Sequence, residues 1–566
     1  MDYDKVLLEL GEFGPWQQRN ALMLWLPAMA DGINILIAAF VMSAPERFRC
    51  RNTCDGEGDF SWDLPSNLTE EQLFPSLDED YIFYKKDSKP DYCQYYDTYL
   101  DSSGLCTVNK SAPILKCKKG ADFSYEEFYM DSTIVIENDL VCANFYWPTI
   151  IDEFFFLGLF IGSFVFGVLS DRIGRRHTLL ISVVCCAVGN LICCVMPNHW
   201  SYAIPRVLAS AGAEGAFVLA FTMSMEFSGV KESVPVFTWV TWSTMLANII
   251  SIPLAVGESL PPLFAMGLKN WPVYQAALSA VIAVTAVVWF FVPESPRWLI
   301  VNGQTERAKK LIEKAAKINK VKLSPDVFLP DPDREQAAKE TEELPKYGIS
   351  DMFRGSQLKI TLAMFVCWPV ITMLYYGLSM SADKIKMTED VYLSYILVTL
   401  IEIPSYIILP LIIDKWGRKP LFFVTQFIPG ICCCVAGFLK PGSVVFSILT
   451  LSAKFCVSAA FNVTFMYTAE LYPTSIRNTA IGICSTVARV GGGLAPIIGR
   501  FLIDLGYFPE YVPLCLFGGF GVLGGLCALL LPEPVGFKLP NTFEDIEEIK
   551  KKSKPFWKCY TAPSDD

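Results

Sequence analysis

The chain has 566 residues, 52% hydrophobic and only 19% charged, with a formal net charge of −11 and just two histidines, His177 and His199. A soluble chain of this length would carry about 25% charged residues, so the apolar excess points to a polytopic membrane protein whose solvent is the lipid bilayer. The acidic balance excludes a nucleic-acid surface, which needs clustered basic charge. Two histidines leave no room for a His-based metal site or a His-centred triad, and no metal or cofactor is expected.

Crossing about 30 Å of hydrocarbon takes roughly 20 apolar residues. Twelve such stretches occur, near 21–43, 149–169, 178–196, 201–225, 234–256 and 272–292, then 359–380, 391–413, 420–439, 444–467, 478–502 and 511–531. The first is no cleaved signal peptide: it is too long for an h-region, has no basic n-region and follows Glu9 and Glu12.

Residues 44–147, between the first two stretches, are polar and hold Cys50, Cys54, Cys93, Cys106, Cys117 and Cys142 together with the sequons at Asn67 and Asn109. An even cysteine set beside glycosylation acceptors reads as an extracellular, disulfide-stapled domain, with fifteen connectivities open. A third sequon, at Asn462, lies in an apolar stretch and is expected to be unused. Twenty acidic and ten basic residues give segment 44–147 −10 of the chain's −11.

The second long polar segment, 294–357, is rich in lysine, contains an amphipathic helix over 305–319 and has no cysteine. Lys/Arg-rich loops stay cytoplasmic, and the basic runs at 172–176, 415–419 and 550–554 share that side if the stretches alternate. The expected organisation is a cytoplasmic N-terminus (1–20), a six-helix bundle (21–292) carrying the extracellular domain 44–147, a cytoplasmic linker with short helices (293–358), a second bundle (359–532) and a cytoplasmic tail (533–566).

An internal repeat relates the bundles. The hexapeptide Asp171, Arg172, Ile173, Gly174, Arg175, Arg176 returns as Asp414, Lys415, Trp416, Gly417, Arg418, Lys419; Glu226 returns as Glu470, and Pro293-Glu294 as Pro532-Glu533. Recurring basic loops alone explain the charges but not the fixed residue order. Duplicated six-helix halves with the substrate between them are the layout of many secondary transporters. The charges at these helix ends, Asp171, Arg175, Glu226, Glu294 and Arg297 in one half and Asp414, Arg418, Glu470, Arg477 and Glu533 in the other, are placed to act as a latch that pairs when the cytoplasmic gate closes. The bland alternative is positive-inside anchoring with solvated acids.

The run from Gly167 through Asp171 to Arg176 is similar to the loop 2–3 signature of the major facilitator superfamily. Residues Pro293, Glu294, Ser295, Pro296, Arg297, Trp298 and Leu299 resemble its sugar-porter and organic-ion branch. Glu470, Leu471, Tyr472, Pro473, Thr474, Ile476 and Arg477, with the cysteine-bearing loop, make the chain resemble the organic cation, anion and carnitine transporters, solute carrier family 22. The resemblance implies an all-α polytopic membrane protein of twelve transmembrane helices in two pseudo-symmetric bundles, the major facilitator fold. It further implies a polyspecific plasma-membrane carrier of small organic ions, working by alternating access.

Charged groups inside the stretches are expensive unless paired or water-lined, and so mark function. Asp31, Glu214, Glu402, Lys454 and Arg489 are such groups. A purely structural salt bridge, Glu402 with Lys454, explains that pair equally well. Arg489 is followed by Val490, Gly491 and Gly492, which leave space beside a planar fork suited to a carboxylate. Trp368 and Tyr375 share a helix face, as do Lys454, Phe461 and Phe465, and Phe217 stands one turn from Glu214; aromatic walls with few polar fixtures suit a small-molecule pocket and attract cations. The resemblance matches Phe217, Trp368, Tyr375 and Phe461 to cavity-lining positions. It also gives this chain Arg489 where cation carriers have an acid, Glu214 where they have a lysine, and Ile371 where they have a further acid. Organic anions or zwitterions are therefore expected as substrates, with Arg489 on the carboxylate and Glu214 on the ammonium, and organic cations are the alternative. Asp31 and Glu214 are candidates to carry a coupling proton, but a salt bridge accounts for either acid, and the coupling ion stays open. Outside transport, a receptor-like protein using residues 44–147 is the remaining reading. No catalytic constellation supports an enzyme.

Overall fold

The computed structural model describes the whole chain except residues 45–47, 51–72, 74–92, 102–105, 117–122, 126–129, 228–250, 325–347, 383–389, 503–508 and 553–566, and positions 1–2, 12–13, 356, 381, 474–475, 510, 536, 538–539 and 541. In hydrocarbon every backbone polar group must be satisfied internally, which restricts a spanning chain to helices or closed barrels. The apolar stretches accordingly form helices: α1 (Pro15–Val41), α2 (Trp147–Ile173), α3 (Arg175–Cys193), α4 (His199–Phe227), α5 (Ser251–Gly267) and α6 (Trp271–Thr285) in the first half. In the second half they form α7 (Gln357–Met380), α8 (Val391–Leu400 and Glu402–Trp416), α9 (Arg418–Gly437), α10 (Val444–Leu471), α11 (Arg477–Pro496) and α12 (Val512–Ala528). Ten helical spans among the described residues are long and apolar enough to cross a membrane. Large apolar side chains face outward from them, among them Phe164, Ile204, Val284 and Phe290, each about 70% exposed, as lipid rather than water requires.

Two boundaries differ from the sequence expectation. The fifth stretch was expected at 234–256, whereas α5 runs over Ser251–Gly267 and carries Pro253, Pro261 and Pro262 within it; residues 228–250 lie outside the described part. Prolines that break a soluble helix are tolerated in a bundle where neighbours re-satisfy the freed carbonyls. α1 starts at Pro15 rather than near 21 because its polar first turns find partners. Gln17 Nε2 donates to Gly11 O at 2.8 Å, and Asn319 Nδ2 donates to Gln17 Oε1 at 2.9 Å.

Asn319 ends the linker helix Thr305–Asn319, which forms where the lysine pattern placed it and buries Ala308, Ile312, Ala315 and Ala316, a stripe of helical spacing. Asn319 also donates to Leu10 O and accepts from the Trp16 amide, while Ser324 donates to Glu9. The N-terminal helix Tyr3–Leu10 is thereby held against the linker.

Segment 44–147 contributes three two-stranded antiparallel sheets: β1 (Phe48–Cys50) with β6 (Phe123–Tyr125), β2 (Gln94–Tyr95) with β5 (Leu115–Lys116), and β3 (Asp97–Leu100) with β4 (Cys106–Asn109). Cys93 and Cys142 are disulfide-bonded, and Cys106 is also in a disulfide. Cys54, Cys117 and Asn67 lie outside the described residues, as does the side chain of Cys50. The Asp131 amide donates to Lys269 O at 3.0 Å, tying the segment to the α5–α6 turn.

The halves meet through rings at the end that bears this segment. Phe40 of α1 packs against Tyr392 and Tyr395 of α8 at 6.0 and 5.0 Å, and Phe145 stacks on Phe501 at 5.7 Å.

Candidate functional site

Inside the bundle, three helices from both halves converge on one charged cluster. α4 is lined with small residues from Ala209 to Ala216 that let its neighbours approach, and Glu214 projects from this stretch, buried. Its carboxylate is ion-paired with the Arg489 guanidinium of α11, so the pair bridges the halves. Arg489 Nε is buried with no hydrogen-bond partner among the described residues. Asp31 of α1 lies within the field of both residues, and its Oδ1 is likewise buried without a partner among the described residues. Two carboxylates thus face one guanidinium.

The glycines after Arg489 serve packing. A Cβ on Gly491 would fall 1.9 Å from Pro369 O of α7, one on Gly492 2.5 Å from the Phe156 ring, and one on Gly493 2.7 Å from Glu153 Oε2. Bare backbone there lets α11 lie against α7 and α2 and fixes where Arg489 points.

A second cluster joins α5, α7, α8 and α10. Lys454 Nζ lies 2.6 Å from Glu402 Oε1, both fully buried; this is an ion pair off the line of a hydrogen bond. Lys454 also donates to Ser379 Oγ at 2.5 Å and sits 3.5 Å from the centre of the Tyr375 ring. Tyr406 donates to Glu402 Oε2 at 2.6 Å, and the Tyr375 hydroxyl lies 3.1 Å from that oxygen and 2.8 Å from Glu258 Oε1.

Aromatic side chains line the seam. Tyr375 meets Phe461 at 5.6 Å, Phe461 meets Phe465 at 5.5 Å, and Phe465 meets Trp368 at 4.7 Å, so Trp368 and Tyr375 share the face turned to α10. Trp368 Nε1 donates to Thr468 Oγ1 at 3.1 Å. Phe217 is half-buried and packs on two parts of the core.

At the opposite end of the bundle the repeated signatures build matching structures. Gly174 and Gly417 have φ of +100° and +90°, a backbone that side chains rarely adopt. Each turns the chain so that the next two amides reach a carboxylate. Arg175 and Arg176 N–H donate to Glu294, and Arg418 and Lys419 N–H donate to Glu533. Burial pushes the Glu533 carboxyl up, against the downward pull of the amides it accepts from. Arg175 pairs with Asp171 at 2.7 Å and Glu226 at 3.2 Å, and Arg418 pairs with Glu470 at 3.1 Å. These pairs are each made within one half. Arg297 is exposed and lies over the Tyr3 ring at 5.8 Å, and the Arg477 side chain is half-buried. The Asp414 side chain lies outside the described residues.

Several polar groups escaped the sequence reading. Glu258 fell beyond the expected end of the fifth stretch; its signal was a lone acid in an apolar, proline-bearing run. Tyr406 has no sequence signal beyond its i+4 spacing from Glu402. Arg206, 1% exposed, donates to Asn34 Oδ1 and Asn34 O at 2.8 and 2.7 Å and lies over the Phe155 ring. Arg206 and Glu153 sit inside stretches already identified, so a charge within an apolar run was the signal that could have found them.

Two helical halves with a repeated signature and a buried charge pair across the seam define a membrane transporter of the major facilitator class. The profile described as "Sugar (and other) transporter" matches residues 117–548. The chain is 30% identical to an organic cation transporter protein of Drosophila melanogaster, covering 98% of this chain and 96% of the relative. It is 29% identical to the human organic cation/carnitine transporter 2, over 97% and 94%. Against solute carrier family 22 member 3 of Rattus norvegicus it is 28% identical, over 97% and 96%. In fold it resembles the proton:xylose symporter XylE, with a TM-score of 0.55 at 17% identity over 94% of this chain and 99% of that one. The chain belongs to solute carrier family 22 of the major facilitator superfamily, a family of multi-pass membrane transporters of small organic ions.

Proposed function

We propose that this carrier moves small organic anions or zwitterions of the carnitine-like kind by alternating access, the carboxylate engaging Arg489 and the ammonium resting by Glu214 and Asp31. One observation carries the reading: among the described residues Arg489 Nε and Asp31 Oδ1 are both buried without hydrogen-bond partners, beside a pair that already joins the two halves. A buried donor and a buried acceptor left unmade each cost about 1–3 kcal/mol, and a zwitterion supplies the complement of both. Phe217, Trp368, Tyr375 and Phe461 provide apolar and π-faced walls, with Glu402 and Lys454 behind Tyr375. Competition by a panel of anions, cations and zwitterions against one tracer, in proteoliposomes, tests the class. Arg489→Gln is expected to lower carboxylate uptake about 10–100-fold, the worth of a charge-assisted hydrogen bond, and to spare any cation uptake. Unchanged carboxylate transport removes the assignment.

Organic cations are the second reading. It is favoured by two carboxylates against one guanidinium at the first cluster, and the Drosophila relative is named for organic cations. Absence of substrate-dependent uptake for the whole panel would favour a receptor-like protein instead. We place the protein in the plasma membrane with both termini cytoplasmic and residues 44–147 outside, glycosylated at Asn67 and Asn109. The helix-end clusters of Arg175 and Arg418, with Asp171, Glu226, Glu294, Arg297, Asp414, Glu470 and Arg477, act as the cytoplasmic latch.

A further inference from the structure

We infer that Glu258 is a proton-binding site where the two halves meet, and that its proton holds α5 against α7 and α8. Hydrogens are too few around this carboxyl for it to be ionised. The Tyr375 hydroxyl oxygen lies 2.8 Å from Glu258 Oε1 and 3.1 Å from Glu402 Oε2, and a phenol has one hydrogen to give. Glu402 Oε2 already receives the Tyr406 hydrogen at 2.6 Å, and its Oε1 faces the Lys454 ammonium at 2.6 Å. With both acids ionised, two carboxylate oxygens would crowd one phenol oxygen with a single hydrogen among the three. Glu258 Oε2 is buried too and has no hydrogen-bond partner among the described residues, so an ionised Glu258 would keep a bare anionic oxygen enclosed between the helices. A proton on Glu258 resolves both problems. The carboxyl O–H donates to the Tyr375 oxygen, Tyr375 donates to Glu402, and the Lys454 ammonium balances the one remaining charge.

The groups facing Glu258 from the elements around it are Tyr375 of α7, Glu402 and Tyr406 of α8 and Lys454 of α10, with Asp31 of α1 adding negative charge nearby. Lysine is the lone cation of the set and is engaged by Glu402. α5 reaches this position by close packing on α1: a Cβ on Gly32 would lie 2.1 Å from Leu254 O, and one on Gly257 2.4 Å from Met29 O. Glu258 therefore belongs to the first half and all of its hydrogen-bonding neighbours to the second. Any motion that parts the halves at this level separates the carboxyl from Tyr375, so the proton is linked to the conformational change. At low pH the link is made; as pH rises the proton leaves, two ionised acids oppose each other, and the contact weakens.

The test needs no transported substrate. Full-length protein in lipid nanodiscs is followed by infrared spectroscopy and by thermal unfolding from about pH 6 to about pH 9. Wild type is expected to show a protonated-carboxyl carbonyl stretch that fades on the alkaline side, about tenfold in protonated fraction per pH unit, and Glu258→Gln to lack that component. The Gln amide mimics the protonated carboxyl, so its unfolding midpoint should stay level where the wild-type midpoint falls. A band unchanged by Glu258→Gln, or parallel midpoint profiles, overturns the inference. Should Glu258→Gln fail to fold, Glu258→Asp keeps a titrating carboxyl one methylene shorter and must move the band; an unmoved band overturns the inference equally. Exchange of labelled L-carnitine with equal pH on both sides of the membrane then reads the consequence. Wild-type exchange falls as pH rises and the Glu258→Gln profile is flat, and identical profiles refute the link to transport. If L-carnitine is not carried at all, the substrate assignment fails while the infrared result stands.

Discussion

Lys454 and Glu402 are both fully enclosed, and their 2.6 Å separation makes each the other's main compensation for lost water. Removing one alone leaves a charge without its counter-ion. Lys454→Met is therefore expected to destabilise the protein by about 3–5 kcal/mol, and Lys454→Met combined with Glu402→Gln to recover most of that loss; thermal unfolding of the single and double variants checks it. The same residue-level physics makes Asp31, Glu214, Glu402, Lys454 and Arg489 legible in the sequence, because a charge within an apolar stretch has few excuses. Glu258 obeys the same rule but is hidden by the misplaced boundary of the fifth stretch. Pro261 and Pro262 lie beyond the expected end of that stretch, and the bundle places them, with Glu258, within a helix.

For whole elements, the start of α3 is set by one glycine. Gly174 holds φ at +100°, and a Cβ there would fall 2.4 Å from Glu294 Oε2. Gly174→Ala is expected to cost about 1–3 kcal/mol through backbone strain, with further loss because Glu294 must leave the Arg175 and Arg176 amides; the unfolding midpoint and surface delivery measure it. Arg175 joins Asp171 and Glu226 at the same corner. Arg175→Ala is expected to lower uptake in proportion to the latch's bias between the two states, and wild-type uptake from a variant delivered normally to the membrane would dismiss the latch. The recurrence of Asp-x-x-Gly-Arg in both halves is visible in the sequence because a turn with positive φ and two amides aimed at an acid needs those residue types in that order. Which acid the amides would meet is not visible there. Glu294 and Glu533 stand 119 and 115 residues from the arginine amides they accept from, so nothing local names them.

For the molecule as a whole, the −11 charge divides unequally. Segment 44–147 carries −10, and the remaining residues are nearly neutral. Under the proposed function, the charge that sets substrate choice is carried by a few groups in the helices, while the acidic segment acts on what approaches it through solvent, within about 8–10 Å at physiological salt. If that segment is outside, Asn67→Gln and Asn109→Gln should each raise electrophoretic mobility by part, and the double variant to the full extent, of the shift that glycosidase treatment of wild type gives, and an N-terminal tag should be reachable only after permeabilisation. A tag accessible on intact cells would reverse the orientation. Cys93→Ser is expected to leave Cys142 without its partner, freeing the segment where it enters α2 and lowering delivery, as loss of a structural disulfide in a small polar domain costs about 2–5 kcal/mol.

The sequence alone determined where the apolar stretches fall, that the two halves repeat, where the polar segments lie and which transporter family the chain resembles. Hydropathy, turn residues and signature motifs are all written locally along the chain. Only the tertiary structure decided who faces whom: Arg489 on Glu214 across 275 residues, Lys454 on Glu402 under the Tyr375 ring, and Glu258 brought from the first half to a tyrosine of the second. Those meetings depend on how each helix is rotated and how closely glycines let its neighbours approach. Neither quantity is set by the apolar content that makes a segment cross the membrane.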